Sequence, residues 1–152
     1  LSDIEDALAR AGFDASESVL TRRQAEVLAL REQGVAQADI AESLGTSRAN
    51  ISKVESAARE NVAKARETVA FVEALEAPVQ VEFEAGTDLY DVPDDVFDAC
   101  DDAGVKVAYS GVDMMTRVSE AAGDAVVGRE VRTPILVGVT REGGVRVRVA
   151  PD

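Results

Sequence analysis

A chain of 152 residues with no histidine and a lone cysteine, Cys100, offers no Ser-His or Cys-His pair, no imidazole zinc site and no internal disulfide, so neither catalysis nor a metal or cofactor is expected. Its 46% hydrophobic content can fill one medium or two small cores, yet no apolar run nears the roughly 18 residues of a membrane span and no basic-then-apolar leader opens it, which makes the cytoplasm the expected location. A net charge of -13 argues against a nucleic-acid partner only until its distribution is read, because residues 21–70 carry eight basic groups against seven acidic ones.

Residues 1–20 open with Ile4, Ala7 and Leu8 at helical spacing and pass through Gly12 and Asp14, which reads as a tail or a short helix. A helical domain is expected over 21–77, ended by Pro78. Thr21-Arg22-Arg23-Gln24 is a capping-box pattern, with Val27, Leu28 and Leu30 on the inward face of the helix it starts and Gly34 at its end. A short second helix from Gln37 to Leu44 presents Ile40, Ala41 and Leu44. Gly45 allows a tight turn, Thr46 or Ser47 caps a third helix, and Ile51 and Val54 face back onto the first two.

Three helices with a glycine turn before the last form a helix-turn-helix, whose third member enters a major groove. Its outward residues Ser47, Arg48, Ala49, Asn50, Ser52 and Lys53 are short, polar and hydrogen-bonding. Arg48 suits guanine O6 and N7, and Asn50 suits adenine N6 and N7, while Ser52 and Lys53 can meet base edges or phosphate. Arg22, Arg23, Gln37 and Thr46 complete the expected double-stranded DNA contacts. The competing reading is a small bundle with a solvated polar face.

The run Leu20-Thr21-Arg22-Arg23-Gln24-Ala25-Glu26-Val27-Leu28, followed by Gly34, Ile40-Ala41, Leu44-Gly45, Ser47 and Ile51, resembles the helix-turn-helix of LuxR-type regulators and of sigma-factor region 4. Taken whole, with Ser47-Arg48-Ala49-Asn50-Ile51-Ser52 leading into an Ala-rich helix and a Val-rich C-terminal part, the chain resembles the archaeal Tfx family of DNA-binding regulators. That resemblance implies binding near promoters to regulate transcription.

Beyond the reading helix, Ile51, Ala58, Ala65 and Val72 recur every seven residues, with Val54, Val62 and Val69 on the same face. The stripe can pair with a second copy, giving a homodimer through Ala58, Val62, Ala65, Val69 and Val72, or it can pack on the chain's own helices.

Residues 78–152 read as a small α/β domain, so that the whole chain is α+β: an all-helical head, a long connecting helix and this second domain. Alternation over 79–84 predicts a strand. A helix follows near Pro93 with Val96, Phe97 and Cys100 inward, then a strand at Val105 to Ala108, a helix from Asp113 to Ala122, and a hairpin of Pro134 to Thr140 with Val145 to Val149. Thr87, Ser110, Arg129 and Arg132 sit at strand ends, where they can receive an oxyanion or small-molecule effector. The opposing reading makes them turn residues and ion-pair partners. Cys100 reads as core. The acidic run from Asp91 to Asp102 lacks a calcium-loop spacing and reads as a solvated helix face. Thirteen arginines against three lysines, with acid crowding the surface-like stretches, suit a halophile, the alternative being an ordinary acidic protein; a halophilic archaeon fits the family resemblance.

The expected function is therefore sequence-specific transcriptional regulation, with the C-terminal domain sensing a ligand or supporting assembly. The alternative is a protein-interaction module of the transcription apparatus without its own sequence-specific DNA binding.

Overall fold

The computed structural model describes residues 2–151 and is α+β, divided into two compact units, one reaching to Thr68 and one beginning at Val69. No helix among the described residues is long and apolar enough to cross a membrane.

The first unit is helical. Helix α1 (Ser2–Arg10) buries Ile4 and Leu8 against Ala25 of α2, with Phe13, Ala29 and Leu30 beside them. Helix α2 (Arg22–Glu32) starts at the capping box: Gln24 N donates to Thr21 Oγ1 at 3.2 Å, and Thr21 N donates to Gln24 Oε1 at 3.0 Å. Two otherwise unsatisfied amides are thereby occupied. Thr21→Ala is expected to destabilise the helical unit by about 1 kcal/mol while Thr21→Ser changes little, as read by urea denaturation.

Helix α3 (Gln37–Leu44) ends at Gly45, whose φ of 68° is a left-handed conformation costly for a residue with a Cβ. Thr46 N then donates back to Ala41 O at 2.9 Å, which reverses the chain within a few residues. Ser47 Oγ accepts from Asn50 N at 3.1 Å and starts α4 (Arg48–Glu76). The reading helix and the connecting helix are one uninterrupted helix of 29 residues, roughly 43 Å long at 1.5 Å per residue. Val27, Ile40, Ala41 and Ile51 are the buried centre of the three-helix arrangement, closed by Leu30, Val35, Leu44 and Val54. Burying a side chain such as Ile40 or Ile51 contributes about 1.5–3 kcal/mol each.

The second unit contains strands β1 (Val79–Phe83), β2 (Val126–Val127), β3 (Glu130–Val131), β4 (Ile135–Val139) and β5 (Val145–Val149), with helices α5 (Val92–Ala103) and α6 (Gly111–Ala122). The main sheet has the order β1-β4-β5 and is antiparallel throughout, with Val81 opposite Val137 and Val137 opposite Val147. Alternation along the strands puts Val79, Phe83, Ile135, Val137, Val139 and Val145 into one core with Val96, Cys100, Met114 and Val118 of the two helices.

One expected strand does not form. Val105 N is used to close α5 on Cys100 O at 2.9 Å, and Ala108 N meets Gly143 O at 3.1 Å, so the Val105 to Ala108 segment makes one hydrogen bond to the hairpin turn instead of a ladder. Val105 and Val107 still pack against the core. The β2-β3 ribbon, two residues to a strand around Gly128, was not foreseen, being too short to show an alternating pattern.

Candidate nucleic-acid interface

The first turns of α4 carry the residues that the sequence singled out. Arg48, Ala49, Asn50 and Lys53 are exposed, and Ser52 is half-buried. Among the described residues neither Arg48 nor Lys53 has an ion-pair partner, in a chain with 29 carboxylates and 16 basic groups. Asn50 Nδ2 donates to Thr46 Oγ1 at 3.0 Å, which orients the amide at the helix surface. Thr46 and Ser47 thus act on the helix itself, one as an anchor for Asn50 and the other as the cap.

Three further expected contacts have other partners. Arg22 and Arg23 are exposed but share Glu26, at 3.5 and 4.0 Å, so meeting phosphate means giving up weak surface pairs. Gln37 is turned inward: its Nε2 donates to Glu55 Oε1 at 3.0 Å.

Glu55 was missed by the sequence reading. It is the one buried charged residue among those described, 8% exposed, on the inward face of α4 between Ile51 and Ala58. Arg59 Nε donates to its Oε2 at 2.8 Å. Arg31 Nε lies 2.9 Å from its Oε1, an ion pair without hydrogen-bond alignment, while Arg31 Nη1 donates to Val35 O at 3.0 Å. The Gln37 hydrogen bond, then Arg59 and Arg31, hold the Glu55 carboxyl below the ordinary glutamate range against the opposing effect of burial. One carboxylate therefore ties α2, α3 and α4 together. The available signal was a carboxylate three and four residues from apolar positions of a buried stripe, with an arginine four residues on.

The proposed dimer stripe divides. Ala58 is fully buried within its own chain, so it has no surface to offer a second copy, and the expectation that it pairs across a dimer is corrected: its methyl is small enough for α4 to pack closely. Val62 and Ala65 are half-buried, whereas Val69 and Val72 are 56% and 40% exposed.

The four expected ligand residues all have partners inside the fold. Thr87 Oγ1 donates to Glu84 O at 2.7 Å, Ser110 Oγ caps α6 by accepting from Asp113 N at 3.2 Å, and Arg132 Nε lies 3.4 Å from a Glu130 carboxylate oxygen. Arg129 forms a two-point pair with Asp88 and lies 4.1 Å over the Tyr90 ring. The Arg129 hydrogen bond, followed by the Tyr90 amide, lowers the Asp88 carboxyl below its usual range. Thr87, Arg129 and Arg132 come together beside the β2-β3 ribbon, where Val131 N donates to Thr87 O and Leu89 N to Arg129 O, while Ser110 serves another element. Cys100 is buried, and burial, then Asp101, push its thiol up, which disfavours the reactive thiolate. No group of three or more acidic or cysteine side chains arranged for a metal occurs among the described residues.

Residues 65–147 match the family model described as the C-terminal part of the DNA-binding protein TFX. A Haloarcula marismortui protein provisionally named a transcriptional regulatory protein is 56% identical over 146 residues, covering 96% of this chain and 92% of that one. A similarly named protein of Methanocaldococcus jannaschii is 38% identical over 131 residues, 86% of this chain and 96% of its own. The DNA-binding protein Tfx of Methanothermobacter thermautotrophicus is 33% identical over 133 residues, 88% of this chain and 96% of that protein. Each of these matches is longer than either structural unit and so takes in parts of both.

Proposed function

Because the chain belongs to the Tfx family of DNA-binding proteins, we propose that it regulates transcription in the cytoplasm of a halophilic archaeon by reading promoter DNA with the first turns of α4 in the major groove. The observation that carries this reading is the exposed group of Arg48, Asn50 and Lys53 following the Gly45 turn, its two cations without carboxylate partners among the described residues. Arg48 and Asn50 have the donor and acceptor geometry for guanine and adenine edges, and Lys53, Arg22 and Arg23 suit phosphate.

The surrounding salt makes base contacts matter more. At 1 M ionic strength the Debye length is about 3 Å, so attraction to phosphate is largely screened and selectivity rests on direct readout. A chain of net charge -13 that binds DNA under such conditions does so through local chemistry.

A homodimer is part of the proposal. Val62, Ala65, Val69 and Val72 share one face of α4, and the exposure of Val69 and Val72 leaves apolar surface whose burial concentrated salt favours. Two copies then present two reading helices, and the bound sequence is an inverted repeat with half-sites about 10 base pairs apart, centre to centre. The test is selection of bound fragments from a random duplex library in concentrated KCl, followed by sequencing. An enriched two-fold motif is the expected result. Enrichment of a single half-site overturns the dimer, and absence of any motif overturns direct reading in favour of a protein partner.

A further inference from the structure

The second unit has a cleft of about 620 Å³, a volume within the range of small-molecule sites, distinct from the four residues considered above for a ligand. Its walls are the end of α4, the residues just before α6, α6 itself and the β4-β5 hairpin. The hairpin turn is firmly held. Thr140 N donates to Gly144 O and Gly143 N to Thr140 O, both at 2.9 Å, and Ala108 N donates to Gly143 O at 3.1 Å. Gly143 has a φ of 87°, and a Cβ placed there would lie 2.3 Å from Lys106 O, so the turn is clamped against the segment that carries Tyr109.

The charges in this cleft are unusual for the unit around them. Residues 69–152 contain six arginines. Arg129, Arg132 and Arg146 have carboxylate partners, the last through Glu73 at 2.6 Å, and Arg148 also has an interaction partner. Among the described residues, Arg117 and Arg141 have no ion-pair partner, and both line the cleft. Arg117 lies 5.2 Å over the half-buried Tyr109 ring, which steers its guanidinium. Glu76 and Glu142 line the same cleft and likewise have no ion-pair partner among the described residues.

Two uncommitted guanidiniums and two uncommitted carboxylates in one cleft match a ligand carrying both signs. An inorganic anion would satisfy the arginines but share the cleft with Glu76 and Glu142, and a simple amine would share it with the arginines. We propose that this cleft binds a free α-amino acid, its carboxylate taken by Arg117 and Arg141, its ammonium by Glu76 and Glu142, and its side chain alongside Tyr109. Arginine pairs a carboxylate in two-point geometry, which fixes the orientation of the ligand as well as its affinity.

The experiment is a thermal-shift series on the full chain in KCl, without DNA, so that it reads the cleft independently of operator binding. The standard L-α-amino acids are added one at a time, each positive is repeated as its des-amino acid and its decarboxylated amine, and sodium sulfate represents inorganic anions. At least one amino acid is expected to raise the Tm by about 2–5 °C, with both truncated analogues and sulfate silent. The shift is expected to vanish in Arg117→Gln/Arg141→Gln and in Glu76→Gln/Glu142→Gln, exposed positions at which the ligand-free Tm stays near that of the parent. Silence of every amino acid, an equal response to sulfate or to a truncated analogue, or a full response in either double variant overturns the assignment.

Discussion

Arg48→Ala combined with Asn50→Ala is expected to bring binding of the selected operator down to the level of scrambled DNA, with the Tm unchanged or slightly raised. Both side chains are exposed on the first turns of α4, and the cap of that helix is the Ser47 hydroxyl, which neither substitution touches. Alanine is the strongest helix former, which offsets the exposed Asn50 to Thr46 hydrogen bond that the exchange removes. A lost bidentate base contact costs about 1–3 kcal/mol. The two together therefore weaken operator binding by about 30-fold to 10⁴-fold, since each 1.4 kcal/mol is a factor of ten. Anisotropy titrations of operator and scrambled duplex at several KCl concentrations separate the possible roles. A base contact changes the operator affinity and leaves the salt slope alone, whereas a phosphate contact lowers both affinities and reduces the slope by about one. Lys53→Ala is the internal comparison expected to follow the second pattern. Equal loss on both duplexes in the Arg48/Asn50 variant would place the reading surface elsewhere.

The elements legible in the sequence are those built from local chemistry. Thr21 and Gln24 reveal a helix start because each satisfies the other's amide, and Ser47 does the same alone. Gly34 and Gly45 mark helix ends because both have positive φ, and the strand alternation from Val79 to Phe83 survives as a burial pattern. What escaped the sequence depends on contacts between distant residues. The Val105 to Ala108 segment has the composition of a strand, yet its amides are used by α5 and by the hairpin turn. Ala58 looked available for a partner because a heptad pattern does not say which part of a long helix its own neighbours cover. Gln37 looked like a DNA contact because nothing local indicates a carboxylate 18 residues later as its partner.

That carboxylate carries the second large effect. Glu55→Ala is expected to destabilise the helical unit by about 2–3 kcal/mol, below the roughly 3–5 kcal/mol of a fully buried pair because the Arg31 and Arg59 side chains, 34% and 61% exposed, can reach water once their partner is gone. For a unit of this size the Tm falls by about 10–20 °C. The acid limb follows from the direction of the carboxyl's shift. A group whose pKa is lower folded than unfolded contributes stability above its ordinary value and loses that contribution as pH falls through the depressed one. The parent should therefore lose Tm below the ordinary glutamate range more steeply than Glu55→Gln, which has no charge to lose at that position. Operator binding should weaken in Glu55→Ala even at temperatures where it remains folded, because Arg31 on α2 and Gln37 on α3 then no longer fix the start of α4 through a shared partner. Replacing the pair by apolar residues separates stability from positioning. Arg31→Met/Glu55→Leu should recover most of the lost Tm, since well-packed apolar substitutes for a buried ion pair are often neutral or better. Its operator affinity then reports what the carboxylate does beyond stability: parental affinity would mean that packing alone sets the angle of the reading helix, and a persistent deficit would mean that the Gln37 to Glu55 hydrogen bond sets it.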